Sequence, residues 1–141
     1  MRGLSVGWSV RTLVAAVLIP PLLRVVSLGR LAAWLGRSPS RPARPAADDA
    51  VLAARVDRLL TRLPWLWRRT CLRRSTVLYY LLRRAGRPVE LCVGVRRAAG
   101  EALGAHAWLV LGNEPYLEPA PGQPAAHQVI ARFPEPKPRQ A

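Results

Sequence analysis

The sequence predicts an α+β fold in which N-terminal helices precede a small antiparallel sheet. Up to about residue 84, apolar side chains recur every three or four positions, which is the period of an amphipathic helix. From Val89 to Arg96 apolar residues occupy every second position, which is typical of a strand. Two further apolar runs flank the turn sequence Gly112-Asn113-Glu114. With 141 residues, half of them hydrophobic, the chain is long enough for one domain with a modest core.

The first two helices are predicted around an exposed linker. Residues 22–35 place leucines, valines and a tryptophan on one side and arginines on the other. The segment from Gly36 to Ala47 is rich in Pro, Ser and Arg, so a linker is expected there. Asp48 or Asp49 then makes a suitable N-cap for a helix with a stripe of leucines, which ends before Pro64.

A third helix is predicted from near Thr70 or Cys71 to about Arg84. Its apolar residues again recur at helical spacing. Gly86 and Pro88 follow directly, and both are common just beyond a helix C-terminus. An aromatic, Arg-rich connection precedes this helix, and its tryptophans are expected to line any pocket at the helix start.

The predicted sheet has three strands. Val89 to Arg96 is interpreted as half-buried, with one apolar face. Ala107 to Leu111 and Pro115 to Glu118 form the hairpin around the turn, and Pro119 to Ala126 is expected to be irregular.

The chain is accordingly divided into three parts. Residues 1–47 form an amphipathic helical segment and linker, and residues 48–133 form the main domain. Residues 134–141 contain three prolines and are predicted to be a disordered tail.

The N-terminal segment is apolar but is predicted not to span a membrane. Its longest uncharged stretch, Thr12 to Leu23, has 12 residues and contains Pro20-Pro21, whereas a spanning helix needs about 20 apolar residues. Arg2 and Arg11 before an apolar run also fit a signal peptide, although no convincing cleavage site follows. The favoured structure is a helix that lies on the domain, on a partner or on a membrane surface.

The net charge of +14 is large, but it says little about which molecules the protein binds. Of the 22 basic residues only Lys137 is lysine, and alanine, proline and glycine are abundant, which indicates GC-rich coding in part. Nucleic-acid binding is therefore not predicted. The charge does predict salt-screened attraction to acidic peptides, anionic lipid or RNA. The arginine pairs at 73–74 and 83–84 are expected on solvated helix faces, or else in contact with an acidic peptide.

Cys71, His106 and Glu118 are the candidate catalytic residues. A thiol, an imidazole and a carboxylate, in this order, are the parts of a cysteine nucleophile, its base and the group that orients the base. The N-terminus of a helix offers unpaired N–H groups and partial positive charge, which stabilise a thiolate and an oxyanion. The strand of Glu118 is expected to fold back beside that of His106, about 4.8 Å away, so the side chains can meet if they share a face.

Each of these residues also has a purely structural interpretation, as a packed cysteine, a surface histidine or a solvated carboxylate. A zinc site built from Cys71, Cys92, His106 and His127 is disfavoured because no two ligands are closely spaced, and His127 is expected to be exposed. No phosphate loop or dinucleotide fingerprint occurs, so no cofactor is predicted. The two cysteines form no C-x-x-C pair, which favours one reactive thiol in a reducing cytosol, and a cytoplasmic location.

Four short segments between Pro64 and Glu118 carry a resemblance to a known family. They are Cys71-Leu-Arg-Arg-Ser75, Arg84-Ala-Gly-Arg-Pro88, Gly94-Val-Arg96 and Ala105-His-Ala-Trp108. In this order they resemble the C-x-x-R-S, R-x-G-x-P, G-V-R and A-H-A-W motifs of the transglutaminase-like leader peptidases of lasso-peptide biosynthesis. The helical N-terminal segment resembles the compact, stand-alone form of this protease.

The resemblance implies a transglutaminase/papain-like cysteine protease core without a cofactor. Such an enzyme removes the leader from a ribosomally synthesised precursor peptide, and a cyclase similar to asparagine synthetase then closes the lasso ring. A small leader-recognition protein is expected as a separate polypeptide. The motifs assign Cys71 as nucleophile and His106 as base. At the third position the family normally has Asp where this sequence has Glu118, and Glu114, in the turn, is the poorer candidate.

Two other functions remain open at this point. One is an acyl-transferring enzyme on the same scaffold, in which an amine rather than water receives the acyl group from the cysteine. The other is a non-catalytic docking protein whose basic helices hold a leader peptide or a membrane.

Overall fold

A computed structural model describes residues 6–37, 49–64, 70–96, 104–119, 122 and 124–134. Within these ranges four helices precede one antiparallel sheet of four strands, in the order β3-β2-β1-β4, which confirms the predicted α+β class. The elements are α1 (Val6–Val25), α2 (Leu28–Leu35), α3 (Asp49–Arg62), α4 (Cys71–Arg84), β1 (Glu90–Arg96), β2 (Gly104–Leu111), β3 (Glu114–Tyr116), a 3₁₀ turn (Pro124–Ala126) and β4 (Gln128–Phe133).

Helix α4 lies at the centre of the fold. It packs against α1, α2 and α3, and against β1 and β2 of the sheet. Five of its apolar side chains are completely buried, and full burial of each such side chain stabilises the fold by about 1.5–3 kcal/mol. They are Val77, Leu78, Tyr79, Leu81 and Leu82. Because α4 is fixed on several sides, its first residue, Cys71, has a well-defined position.

The two helices α3 and α4 agree with their predicted limits, but the predicted single helix 22–35 is wrong. The chain instead forms the long helix α1 and the short helix α2, which begins after Ser27. The Ser27 backbone is extended and its hydroxyl accepts the N–H of Arg30 at 3.4 Å, so Ser27 caps α2. Pro20 and Pro21 lie inside α1 without ending it, since burial of its inward face offsets the lost backbone hydrogen bonds.

The prediction of solvated arginines on α4 is wrong for Arg74 and Arg83. Arg74 is buried, and its Nε lies 2.8 Å from Asp57 Oδ1 of α3. The guanidinium of Arg83 donates to the carbonyl of Gly36, from Nε at 3.2 Å and from Nη2 at 3.0 Å, just beyond α2. Both side chains therefore join α4 to a neighbouring helix.

The sheet is larger than the sequence predicted. Strand β4 pairs with β1, and residues 128–133 had not been assigned to a strand. The half-buried interpretation of β1 is also wrong, because Cys92 and Gly94 are buried on the face that should have been open. Strand β2 begins three residues earlier than predicted, whereas β3 ends at Tyr116.

The β2–β3 hairpin turns at the predicted place, but its turn is one residue shorter than the predicted Gly112-Asn113-Glu114, because Glu114 already pairs with Leu111. Gly112 and Asn113 have φ values of 60° and 67°, as in a type I′ turn, and Gly and Asn are the residues that adopt this conformation most readily. The predicted linker from residue 38, the aromatic run 65–69 and the tail beyond Pro134 lie outside the described residues.

Candidate active site

Cys71 is the first residue of α4 and its side chain is exposed. The preceding Thr70 is extended, with φ −124° and ψ 162°, and its hydroxyl accepts the N–H of Arg73 at 3.2 Å. The earliest N–H groups of a helix have no acceptor within the helix. The Cys71 sulfur thus lies beside backbone donors and the positive end of the helix dipole.

Two side chains of the first turns fix the start of α4 against its neighbours. Arg74 forms the ion pair with Asp57 described above. Ser75 is buried, and its hydroxyl donates to the carbonyl of Ala107 in β2 at 3.1 Å. Since Ala107 directly follows His106, this bond ties the Cys71 helix to the His106 strand.

His106 and Glu118 are in direct contact. The Nε2 of His106 lies 3.1 Å from Oε1 of Glu118, and the two side chains are only 14% and 6% exposed. A carboxylate in this position holds Nε2 as the hydrogen-bond donor, which leaves Nδ1 of the ring to exchange a proton with another group. The predicted contact between these two residues is therefore present.

Glu118 reaches His106 through an irregular backbone, not through a continued strand. Strand β3 ends at Tyr116, which pairs with Leu109. Regular pairing would have placed position 118 opposite Ala107, on the other face of the sheet from His106. Leu117 instead adopts a left-handed conformation with φ 56°, which costs a non-glycine residue about 1–2 kcal/mol. This residue interrupts the alternation and allows the carboxylate to meet the imidazole.

The three predicted residues line one cavity of about 160 Å³. Arg74, Ser75, Ala107 and Pro119 complete its described lining. The cavity thus combines an accessible thiol, an imidazole with one nitrogen held by a carboxylate, and a helix N-terminus. This set can support nucleophilic attack on a carbonyl, stabilisation of the resulting oxyanion and proton transfer to a leaving group.

Aromatic packing around His106 was not predicted from the sequence. The ring of Trp108 stacks on His106 with 5.7 Å between centroids and 17° between planes, and the ring of His127 lies 5.4 Å from it. The expectation that His127 is exposed is therefore wrong, since it is half-buried in this cluster. The sequence could have predicted the contact between His106 and Trp108, because residues two apart lie on the same face of a strand.

Gly94 makes this packing possible. It pairs with His106 across the sheet, and a Cβ at this position would come within 2.8 Å of Trp108 and 3.0 Å of His127. Gly94→Ala should therefore displace the aromatic cluster and lower the free energy of unfolding by about 1–3 kcal/mol, measured by urea denaturation.

Gly104→Ala is the matched control for that measurement. Gly104 lies in the adjacent strand, and an added Cβ would have its nearest contact, with the Arg96 carbonyl, at 3.7 Å. The expected change is within about 0.5 kcal/mol. Equal stability of the Gly94→Ala variant and the wild type would show that the cluster is not tightly packed.

The second cysteine is unsuited to the same chemistry. Cys92 is buried in β1 against Trp108 and Val110. Burial raises the pKa of the Cys92 thiol, so it stays protonated at neutral pH and is out of reach of a substrate. Within the part of the chain that the structure describes, no group of three or more His, Cys, Asp or Glu side chains is arranged to hold a metal ion.

The fold and the site together define a class of protein in which an exposed cysteine at a helix start lines one cavity with a histidine–carboxylate pair beside an antiparallel sheet. The chain belongs to the transglutaminase-like superfamily, whose family model matches residues 15–132. This superfamily includes cysteine proteases. Comparison with curated proteins and with solved structures gave no match. The division at residues 47 and 133 stays a prediction.

Proposed function

We propose that the protein is a cysteine peptidase that removes the leader from the ribosomally synthesised precursor of a lasso peptide. The observation that supports this most is the convergence of Cys71, His106 and Glu118 on one cavity at the start of α4. The order of the four short motifs, from Cys71 to Trp108, connects this site with leader peptidases in particular.

In the proposed first step, the thiolate of Cys71 attacks the carbonyl carbon of one peptide bond. The oxyanion of the tetrahedral intermediate is stabilised by N–H groups at the start of α4, including that of Cys71. His106, protonated at Nδ1 by the thiol, gives this proton to the nitrogen of the leaving amine, and the carbon–nitrogen bond breaks. The product is a thioester between Cys71 and the leader.

In the second step, His106 takes a proton from a water molecule as that water attacks the thioester. The carbon–sulfur bond breaks, the leader leaves with a new carboxylate, and Cys71 is restored. Throughout both steps Glu118 accepts the hydrogen bond from Nε2 and stabilises the positive imidazole ring. The core peptide, released with a free amino group, is then the substrate of an asparagine-synthetase-like cyclase.

The substrate is expected to reach this small site with help. The cavity of about 160 Å³ is far smaller than the several hundred cubic ångströms typical of a pocket that holds a whole ligand. It therefore accommodates the residues next to the cut bond and little else. A separate leader-recognition protein would supply the remaining binding energy by delivering the precursor.

The test is to incubate the protein with a precursor peptide, its recognition protein and water enriched in heavy oxygen. Hydrolysis predicts one cut and incorporation of the heavy isotope into the new C-terminus of the leader, detected by mass spectrometry. Capture by an added amine, with a leader adduct and no isotope incorporation, would favour the acyl-transferring alternative. An intact precursor under conditions in which the recognition protein binds it would contradict both and favour a docking role.

A further inference from the structure

Helix α1 has a second apolar face that no described part of the protein covers. Its inward face packs on α3 and α4, with Trp8, Ala15, Ala16 and Ile19 buried. Its outer face is formed by exposed aliphatic side chains, of which Leu18 is 55% exposed. The outer face consists of Val6, Val10, Leu13, Val14, Leu18 and Val25. A helix that is apolar all round requires an apolar environment on both sides.

An apolar groove adjoins this face. It has a volume of about 390 Å³ and follows α1 from Gly7 to Leu22, a length of about 22 Å, with Trp34 and Leu35 of α2 along its side. Trp34 is 61% exposed. Tryptophan is enriched where proteins meet the boundary between lipid and water, because its ring is both apolar and able to donate a hydrogen bond.

The charge around the groove has a single sign. The described residues 6–37, which form α1 and α2, contain four arginines and no Asp or Glu. Arg11 lines the groove and its guanidinium lies 5.3 Å from the centroid of the Trp8 ring. Arg37 and Arg84 line the neighbouring cavity, which shares Trp34 and Leu35 with the groove. This distribution fits an anionic surface with an apolar layer behind it.

The same charge disfavours the other occupants. A second copy of this chain on the same face would bring arginines against arginines. A folded protein partner normally forms about one hydrogen bond per 100–200 Å² of interface, whereas the six exposed side chains named above are aliphatic and form none. The exposed polar side chain at the C-terminal end of this face is a cation, Arg24. An interfacial bilayer contact needs only what is present, an aliphatic stripe with arginines beside it.

We infer that the outer face of α1 and the adjoining groove form a docking surface for a membrane containing anionic lipid. Among the described helices, α1 alone is long and apolar enough to cross a membrane by length and composition. Its inward face is held on α3 and α4, however, so it lies along the membrane surface instead of crossing it. Aliphatic side chains enter the acyl region, and arginines such as Arg11 contact lipid phosphates.

The test is co-sedimentation of the full chain with lipid vesicles, which requires neither precursor nor cleavage and so stands apart from the proposed function. We expect at least about tenfold stronger binding to vesicles of phosphatidylglycerol and phosphatidylcholine in equal parts than to phosphatidylcholine alone. Leu18→Glu should weaken binding to the anionic vesicles by about tenfold or more. Val10→Ser should weaken it in the same direction, with circular dichroism as the check that each variant is folded.

Ile130→Glu is the matched control. Ile130 lies on the edge strand β4, is 62% exposed and undergoes the same change in charge, so its binding should stay within about twofold of the wild type. Equal losses in Leu18→Glu and Ile130→Glu would overturn the inference, because only net charge would then matter. A lack of binding to anionic vesicles, or equal binding to both lipids, would also overturn the inference. The same holds if Leu18→Glu abolishes a dimer or a complex with the recognition protein while vesicle binding is unchanged.

Discussion

Replacement of Cys71 by alanine is expected to abolish cleavage of the precursor, with a loss of about 10⁴-fold or more in kcat. The sulfur is the exposed nucleophile in the described lining of the cavity, because the Ser75 hydroxyl is buried and donates to the carbonyl of Ala107. Alanine removes the sulfur while leaving the helix start intact. The measurement is the rate of leader release at saturating precursor, with binding of the precursor and its recognition protein followed separately. Binding should persist, because it does not depend on the sulfur.

Cys92→Ala is the matched control for this prediction. Its thiol is buried and its pKa is raised by that burial, so the variant should cleave at close to the wild-type rate and lose only some stability. Alkylation by iodoacetamide should accordingly modify Cys71 and spare Cys92 in the folded protein. Undiminished cleavage by Cys71→Ala would show that Cys71 is not the nucleophile. Inactivation of a folded Cys92→Ala variant would contradict the assignment in the same way.

The helical half of the site was predictable because its signals are local. Thr70 is a residue type that caps helices, and the apolar period that follows it determined the limits of α4 and thus the place of Cys71. Asn113, in the hairpin turn, was equally informative, because few residues adopt its left-handed backbone. Each of these features depends on residues that are neighbours in the sequence, so it could be predicted without knowledge of the tertiary contacts.

The features that the sequence did not reveal depend on residues far apart in the chain. Strand β4 is stabilised by backbone pairing with β1, and nothing within residues 128–133 specifies that partner. The ion pair of Arg74 with Asp57 joins two helices, so local pattern could not distinguish this arginine from a solvated one. The left-handed Leu117 is the clearest case, since leucine disfavours this conformation and only the surrounding packing imposes it.

Replacement of Glu118 by glutamine is expected to slow cleavage by roughly 10- to 100-fold in kcat, with KM little changed. The amide can still accept the hydrogen bond from Nε2 of His106, so the ring keeps its orientation. The negative charge that stabilises the imidazolium is lost, however, and both proposed steps depend on that cation. Alkylation of Cys71 by iodoacetamide should slow in parallel, which reports on the thiolate without any precursor.

Two companion variants separate charge from structure. Glu114 is exposed at the start of β3, so Glu114→Gln makes the same chemical change close by and should leave both rates unaltered. Glu118→Asp keeps the charge but shortens the reach by one methylene, and its activity should lie between those of the wild type and Glu118→Gln. If Glu118→Gln cleaves as fast as Glu114→Gln, the carboxylate has no part in the chemistry. The left-handed backbone of Leu117, which costs about 1–2 kcal/mol, would then have no role in catalysis, because its consequence for the site is the contact between Glu118 and His106.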